Sequence, residues 1–232
     1  MKNIKSLLIV FILVITCITS CKNSESEAQD AATTEASENT TTVEAKPEAT
    51  KAKGVLNVNL ATEEDLQDLG LPSEVMTMII NNRPFLDMMD LDKMLMDSNK
   101  EELYKKMFVP MNLNTTAEAD FKIIPGVGDK MAHEFEEYRP YISIKQFKRE
   151  IGKYVDEDEV ERYLNYVFVP VELNTASKED IMALPGVGKK MTHEFEEYRP
   201  YKNMEQFRKE IGKYVDDNEL KRLERLVYLK TN

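Results

Sequence analysis

Two five-residue runs, Gly126-Val127-Gly128-Asp129-Lys130 and Gly186-Val187-Gly188-Lys189-Lys190, lie 60 positions apart. Glycine has no side chain, so a Gly-x-Gly turn can present bare backbone N–H groups at angles a Cβ would forbid. If a helix begins directly after the turn, its first N–H groups are unpaired and its dipole end is positive. Amides and dipole together suit a single anion such as a phosphate. Lys130, Lys189 and Lys190 fall on the first turn of that helix, where they add charge. Val127 and Val187 are placed to plug the core beneath each turn.

The surroundings of the two turns match. Residues 111–170 and 171–230 align without gaps, and 31 of 60 positions are identical. Each begins near an "NT" (Asn114, Asn174), passes through "PGVG" and "HEFEEYRPY", and continues to "QF" and "EIGKYVD". Residues 54–110 read as an older copy. "VNLAT" and "RPF" correspond to "VELNT" and "RPY", but the turn reads "LGLPSE". Pro72 replaces the second glycine there, so one N–H donor is lost.

Each copy has to build four short helices to hold its turn. Thr62-x-x-Asp65 and Ser177-x-x-Asp180 have the form of capping boxes, with Asp in place of the usual Glu. Ile181 and Leu184 line the first helix of the third copy. Met191, Phe195 and Tyr198 recur at helical spacing in the second. Arg199-Pro200 ends it, because the residue before proline disfavours the helical region. Phe207 and Ile211 stripe the third helix. Asp216-x-x-Glu219 caps the fourth, which buries Leu220, Leu223 and Val227. The sequence therefore predicts an all-α fold of three serial units, 54–110, 111–170 and 171–232, and no strand alternation competes.

The chain upstream of residue 54 is of a different kind. Lys2 and Lys5 precede an apolar run from Leu7 to Ile15, which is too short to span a bilayer. Together with the small and hydroxyl residues before Cys21, this is the pattern of a secretory signal over 1–20. "Ile18-Thr19-Ser20-Cys21" resembles the lipobox of bacterial lipoproteins, which implies lipidation at Cys21; a plain secreted protein or an uncleaved anchor is the alternative. Residues 21–53 are rich in Ser, Thr, Glu and Ala and have no apolar period, so they read as a disordered acidic linker. The acidic run after Cys21 resembles the signal that sends some lipoproteins to the cell surface. Cys17 and Cys21 are the only cysteines, so if Cys21 is lipidated and Cys17 removed, the mature chain has no disulfide and no cysteine-based metal site.

Two short helices joined by "PGVG" are the helix-hairpin-helix motif. "LNTASKEDIMALPGVGKKMTHEFEEYRPYKNMEQF" resembles the tandem helix-hairpin-helix domain of the ComEA-like competence DNA receptors. That family carries "NTA", "LPGIG", a lysine and "YR…F" in this order, with a second hairpin bearing another Gly-x-Gly. Here Tyr154 and Tyr214 replace the last glycine of that second hairpin, while Gly152 and Gly212 remain. The resemblance implies sequence-independent binding of duplex DNA through hairpin amides, since phosphate contacts carry no base information. By position, the contacts would come from Gly126, Val127, Gly128 and Lys130, and from Gly186, Val187, Gly188, Lys189 and Lys190. With the lipobox, it implies a membrane anchor at Cys21 and a place on the outer membrane of a Gram-negative-type envelope, on either face.

Charge runs against this implication. The chain carries −11 overall, and removing Lys2 and Lys5 takes it to −13. The three units carry −6, −4 and 0. DNA-binding proteins usually show a basic surface, because neutralising phosphate supplies most non-specific affinity. The third unit, with Lys189 and Lys190, is the expected phosphate site; the second, with Asp129, is a weaker one; the first is a spacer. A protein-interaction or structural module with an envelope protein partner is the competing reading. His133 and His193 sit in "HEFEE" without the second histidine of a zinc-protease motif. The methionine-rich run from Met76 to Met96 reads as adaptable core. No nucleophile–base pair or nucleotide-binding loop is present, so no enzyme, cofactor or metal is expected.

Overall fold

The computed structural model describes residues 54–95 and 99–230. The signal peptide, Cys17, Cys21 and the linker expected over 1–53 lie outside the described residues, as does Met96. In the first segment β1 (Leu56–Asn57) leads into α1 (Glu63–Asp68), α2 (Ser73–Asn81), α3 (Met88–Met94) and α4 (Lys100–Tyr104), closed by β2 (Met107–Phe108). The second runs β3 (Met111–Asn112), a 3₁₀ helix (Glu118–Ile123), α5 (Asp129–Glu137), α6 (Ile144–Ile151), α7 (Glu157–Tyr163) and β4 (Val167–Phe168). The third runs β5 (Val171–Glu172), α8 (Lys178–Met182), α9 (Lys189–Glu197), α10 (Met204–Ile211), α11 (Asp217–Glu224) and β6 (Val227–Tyr228).

The architecture is broadly all-α, with one departure from the sequence reading. The ends of each segment pair as parallel two-residue strands: β1 with β2, β3 with β4, and β5 with β6. Val227, expected on the fourth helix, stands in β6 opposite Val171. Leu173 N–H donates to Tyr228 O (3.0 Å) and Val58 N–H to Phe108 O (3.0 Å), so the strands tie each segment's start to its end. Pro110 and Pro170 follow β2 and β4 closely, and a residue without N–H cannot extend the ladder.

Caps decide how the first helices form. Thr62 accepts from Asp65 N–H (3.0 Å), and Asp65 accepts in return from Thr62 N–H (2.9 Å), a closed capping box. Ser177 accepts from Asp180 N–H (3.1 Å), but the Asp180 carboxylate also reaches across to Ile144 N–H (2.9 Å) at the start of α6. It thereby links the third segment to the second. The second segment has Ala117 where the third has Ser177. Ala117 offers no side-chain cap, and its first helix is the 3₁₀ element. Asp216 accepts from Glu219 N–H (2.8 Å), as the sequence predicts.

The "NT" and "RP" motifs meet. Asn114 and Asn174 each make two bonds to one backbone residue, Tyr141 and Tyr201 respectively. For Asn174, Nδ2 donates to Tyr201 O (2.9 Å) and Oδ1 accepts from Tyr201 N–H (2.7 Å). Asn59 does the same with Phe85. Arg199 Nε donates to Leu173 O (2.5 Å) and Nη2 to Ala176 O (2.9 Å), and Arg139 repeats this with Leu113 and Thr116. Arg83 departs from the pattern: its Nε and Nη2 are buried and have no partner. Each of these arginines precedes a cis proline.

The apolar core falls into two clusters. One runs through the first and second segments, from Val58 and Leu66 to Phe135, Tyr163 and Val169. Phe108 and Tyr166 join them edge to face at 4.9 Å. The other lies in the third segment, around Ile181, Val187, Phe195, Phe207 and Leu223, and takes in Phe168 from β4 of the second. Of the methionine-rich run, Met88 is buried and Met76 and Met94 pack against the core, as expected of adaptable core, while Met78 is exposed.

Candidate nucleic-acid interface

Each glycine turn follows the first helical element of its segment. The chain leaves Ile124 or Leu184 and must reverse within three residues. Gly126 (φ 81°) and Gly186 (φ 71°) take the left-handed conformation that the reversal needs. Gly70 (φ 75°) does the same in the first segment. The second glycines do not. Gly128 (φ −96°) and Gly188 (φ −85°) are extended, as a helix N-cap requires, and any residue could adopt those angles. Their value lies in what they lack. Neither supplies a side-chain cap, so α5 and α9 start with uncapped N–H groups. Pro72 occupies the same N-cap place before α2, which shows that the turn survives the loss of that donor.

Val127 and Val187 are buried, and each donates its N–H back across the turn, to Ile124 O (3.0 Å) and Leu184 O (3.1 Å). They fasten the hairpins from below, as their spacing predicts. Lys130, Lys189 and Lys190 are exposed at the start of the following helices. Asp129 is exposed as well, and Lys122 Nζ holds its carboxylate at 2.9 Å. The carboxylate is thus neutralised by a lysine that the sequence reading did not place there. Lys130 Nζ stands 6.0 Å from the centroid of the Tyr154 ring.

Two arginines that sequence reasoning missed lie against the hairpins. A Cβ built on Gly126 would be 3.4 Å from Arg162 Nη2, and one built on Gly186 would be 3.0 Å from Arg222 Nη2. Arg162 is held by Glu159 (2.7 Å at both nitrogens), which keeps its pKa above the usual arginine value. Arg222 is held by Glu219 and also donates Nη1 to Pro185 O (2.5 Å). The signal was present as Glu-x-x-Arg at matching places in both copies, one helical turn apart.

The hairpins differ in exposure. Gly126 and Gly128 are exposed, and Gly126 with Val127 lines a cleft of about 440 Å³ shared with Lys122, Lys100 and Tyr104. Gly186 is buried, and a Cβ on it would collide with Leu60 Cδ1 from the first segment. At the family's second-hairpin position, Gly152 (φ −61°) and Gly212 (φ −61°) are right-handed helix C-caps. Tyr154 and Tyr214 there bond the hydroxyls of Tyr138 and Tyr198 at 2.7 Å each. That place is a tyrosine pair and presents no left-handed glycine turn. His133 is exposed beside Glu118 (3.4 Å), and His193 beside Glu197 (3.5 Å). Among the described residues no three His, Cys, Asp or Glu side chains gather as a metal site.

These turns, with a left-handed glycine, a buried valine and an uncapped helix start, define helix-hairpin-helix geometry. Residues 167–212, which hold the third hairpin, match the family model described as helix-hairpin-helix motif. Neither a curated protein nor a solved structure matches the chain.

Proposed function

We propose that this protein is a membrane-anchored lipoprotein of three tandem helix-hairpin-helix units that binds duplex DNA without regard to sequence, through the hairpins of the second and third. In this reading it resembles the ComEA-like competence receptors. Lipidated Cys21 holds it to the outer membrane, and residues 21–53 tether the binding body. Backbone phosphate is contacted by the amides and lysines at Gly126, Gly128 and Lys130, and at Gly186, Gly188, Lys189 and Lys190, while Val127 and Val187, whose N–H groups are bonded within their turns, hold each site in shape. The chemistry is non-catalytic.

The observation that carries the reading is the pair of uncapped helix starts behind Gly128 and Gly188. Thr62, Ser143, Ser177, Asn203 and Asp216 cap other helices with their side chains. At the two hairpins the N-terminal N–H groups have no such cap and stand next to exposed lysines, which suits an external anion. The helix-hairpin-helix match over 167–212 supports the same conclusion, because that motif commonly binds nucleic acid. The test is a mobility shift of the full mature chain on duplex DNA at ~50 mM salt, where phosphate contacts are strong. Wild type should shift the duplex. A variant carrying Gly128→Pro, Lys130→Ala, Gly188→Pro, Lys189→Ala and Lys190→Ala should not. Pro72 at the equivalent place indicates that these prolines leave the fold intact.

A second reading is a protein-interaction or structural module of the envelope. The net charge of −11 favours it, since long-range attraction for DNA is absent. Wild type that leaves the duplex unshifted at low salt, and binds a protein partner regardless of the glycine turns, would establish it.

A further inference from the structure

The second and third hairpins share nearly all their letters, yet different groups lie against their first glycines. Gly126 is exposed and meets only the guanidinium of Arg162 from its own segment. Gly186 is buried, with Leu60 Cδ1 pressed onto the face where a Cβ would project and Arg222 alongside. Leu60 comes from the loop between β1 and α1, more than a hundred residues away in sequence. We propose that the first segment is an intramolecular cover for the third hairpin, so that Leu60 and DNA phosphate compete for the same turn. This rests on the reading of the hairpins as phosphate sites.

Three observations support a cover that can open. The first is how it is held. Arg225, at the end of α11, donates Nη2 to Pro110 O (2.6 Å) and Nη1 to Phe85 O (3.5 Å), and its guanidinium lies 5.1 Å from the Phe168 ring centroid. Arg225 thus fastens the end of α11 to two backbone carbonyls of the first segment. The second is the division of the core. The first and second segments share one apolar cluster, whereas the third has another, which takes in Phe168 of the second but no residue of the first. The contact between the first and third segments can therefore separate without opening either core. The third is charge. The first segment carries −6, and the hairpin it covers is the one with both lysines. A net negative charge on the covering segment disfavours the approach of a second polyanion.

The cover predicts that hairpin two binds more strongly in the resting protein than hairpin three, whose lysines are exposed but whose Gly186 face is covered. Amide hydrogen exchange on the full chain, without DNA, tests the cover independently of any ligand. In wild type, N–H groups over 186–190 should exchange about tenfold more slowly than those over 126–130. Leu60→Ala, and separately Arg225→Lys, which keeps the charge, should speed exchange at 186–190 and leave 126–130 unchanged. The same variants are then titrated onto a duplex at several salt concentrations. Each should bind more tightly than wild type, with the salt slope steeper by about 0.9 for each phosphate gained. Lys189→Ala with Lys190→Ala should cancel that gain. Equal exchange at the two hairpins in wild type overturns the cover, and this comparison needs no variant to fold. Exchange that speeds without any gain in DNA binding overturns the competition, provided wild type itself binds. If exchange behaves as stated but no variant binds DNA, the DNA reading fails and the cover stands.

Discussion

Twin substitutions at the two hairpins separate backbone strain from contact across segments. Gly126→Ala and Gly186→Ala place the same methyl at matching positions, with φ of 81° and 71°. A left-handed alanine costs about 1–2 kcal/mol, and this cost is common to both. The surroundings then diverge. At Gly126 the new methyl meets Arg162 Nη2 at 3.4 Å, an ordinary contact. At Gly186 it collides with Leu60 Cδ1 and stands 3.0 Å from Arg222 Nη2, whose Glu219 and Pro185 bonds restrain it. Overpacking of this kind adds about 1–3 kcal/mol. Gly126→Ala should therefore cost about 1–2 kcal/mol, and Gly186→Ala about 2–5.

The assay is urea unfolding of each variant, together with a double-mutant cycle through Leu60→Ala. Removing Cδ1 should bring the cost of Gly186→Ala down toward that of Gly126→Ala, leaving only what the Arg222 contact adds, a coupling of about 1 kcal/mol or more. Gly126→Ala shares no contact with Leu60 and should add to Leu60→Ala without coupling. Equal costs at the two glycines, or no coupling between Leu60 and Gly186, would refute the account of the third hairpin.

Further predictions follow from the motif contacts. Asn174→Ala removes both bonds to Tyr201 and leaves its backbone groups part-buried, which should cost about 2 kcal/mol in urea unfolding. Arg199→Met strips donors from the Leu173 and Ala176 carbonyls and should cost a similar amount, about 2 kcal/mol. Arg83→Met should be neutral or stabilising, because Arg83 Nε and Nη2 are buried without partners and burial already pushes its pKa down. His133 should titrate above its ordinary 6.5 by NMR, because Glu118 stabilises the imidazolium. That interaction stabilises the fold below pH 6.5 and is lost as pH rises through the raised value, and Glu118→Gln should bring the titration down.

Much of the local structure was legible because local chemistry sets it. Thr62, Ser177 and Asp216 cap where their spacing says, and Phe195, Phe207 and Ile211 face the core. The parallel strand pairs were not legible. Two residues are too few to show alternation, and Leu56 pairs with Met107 through a fold that no local window contains. Gly128 and Gly188 were expected to need glycine's backbone freedom. The left-handed turn is instead made entirely by Gly126 and Gly186, and the second glycines serve by leaving helix starts uncapped. The burial of Gly186 beneath Leu60 was invisible for a different reason: the two residues meet only through the arrangement of segments. Asp180 shows both sides, since its cap was readable and its bond to Ile144 was not.

The most direct test of the central claim is the salt dependence of duplex binding by the full mature chain, compared with Gly128→Pro/Lys130→Ala and with Gly188→Pro/Lys189→Ala/Lys190→Ala. The account predicts measurable binding near ~50 mM salt and a shallow slope of about −0.9 per phosphate. The larger loss should fall on the exposed second hairpin. Binding that survives both sets of substitutions, or no binding by wild type at low salt, would contradict it.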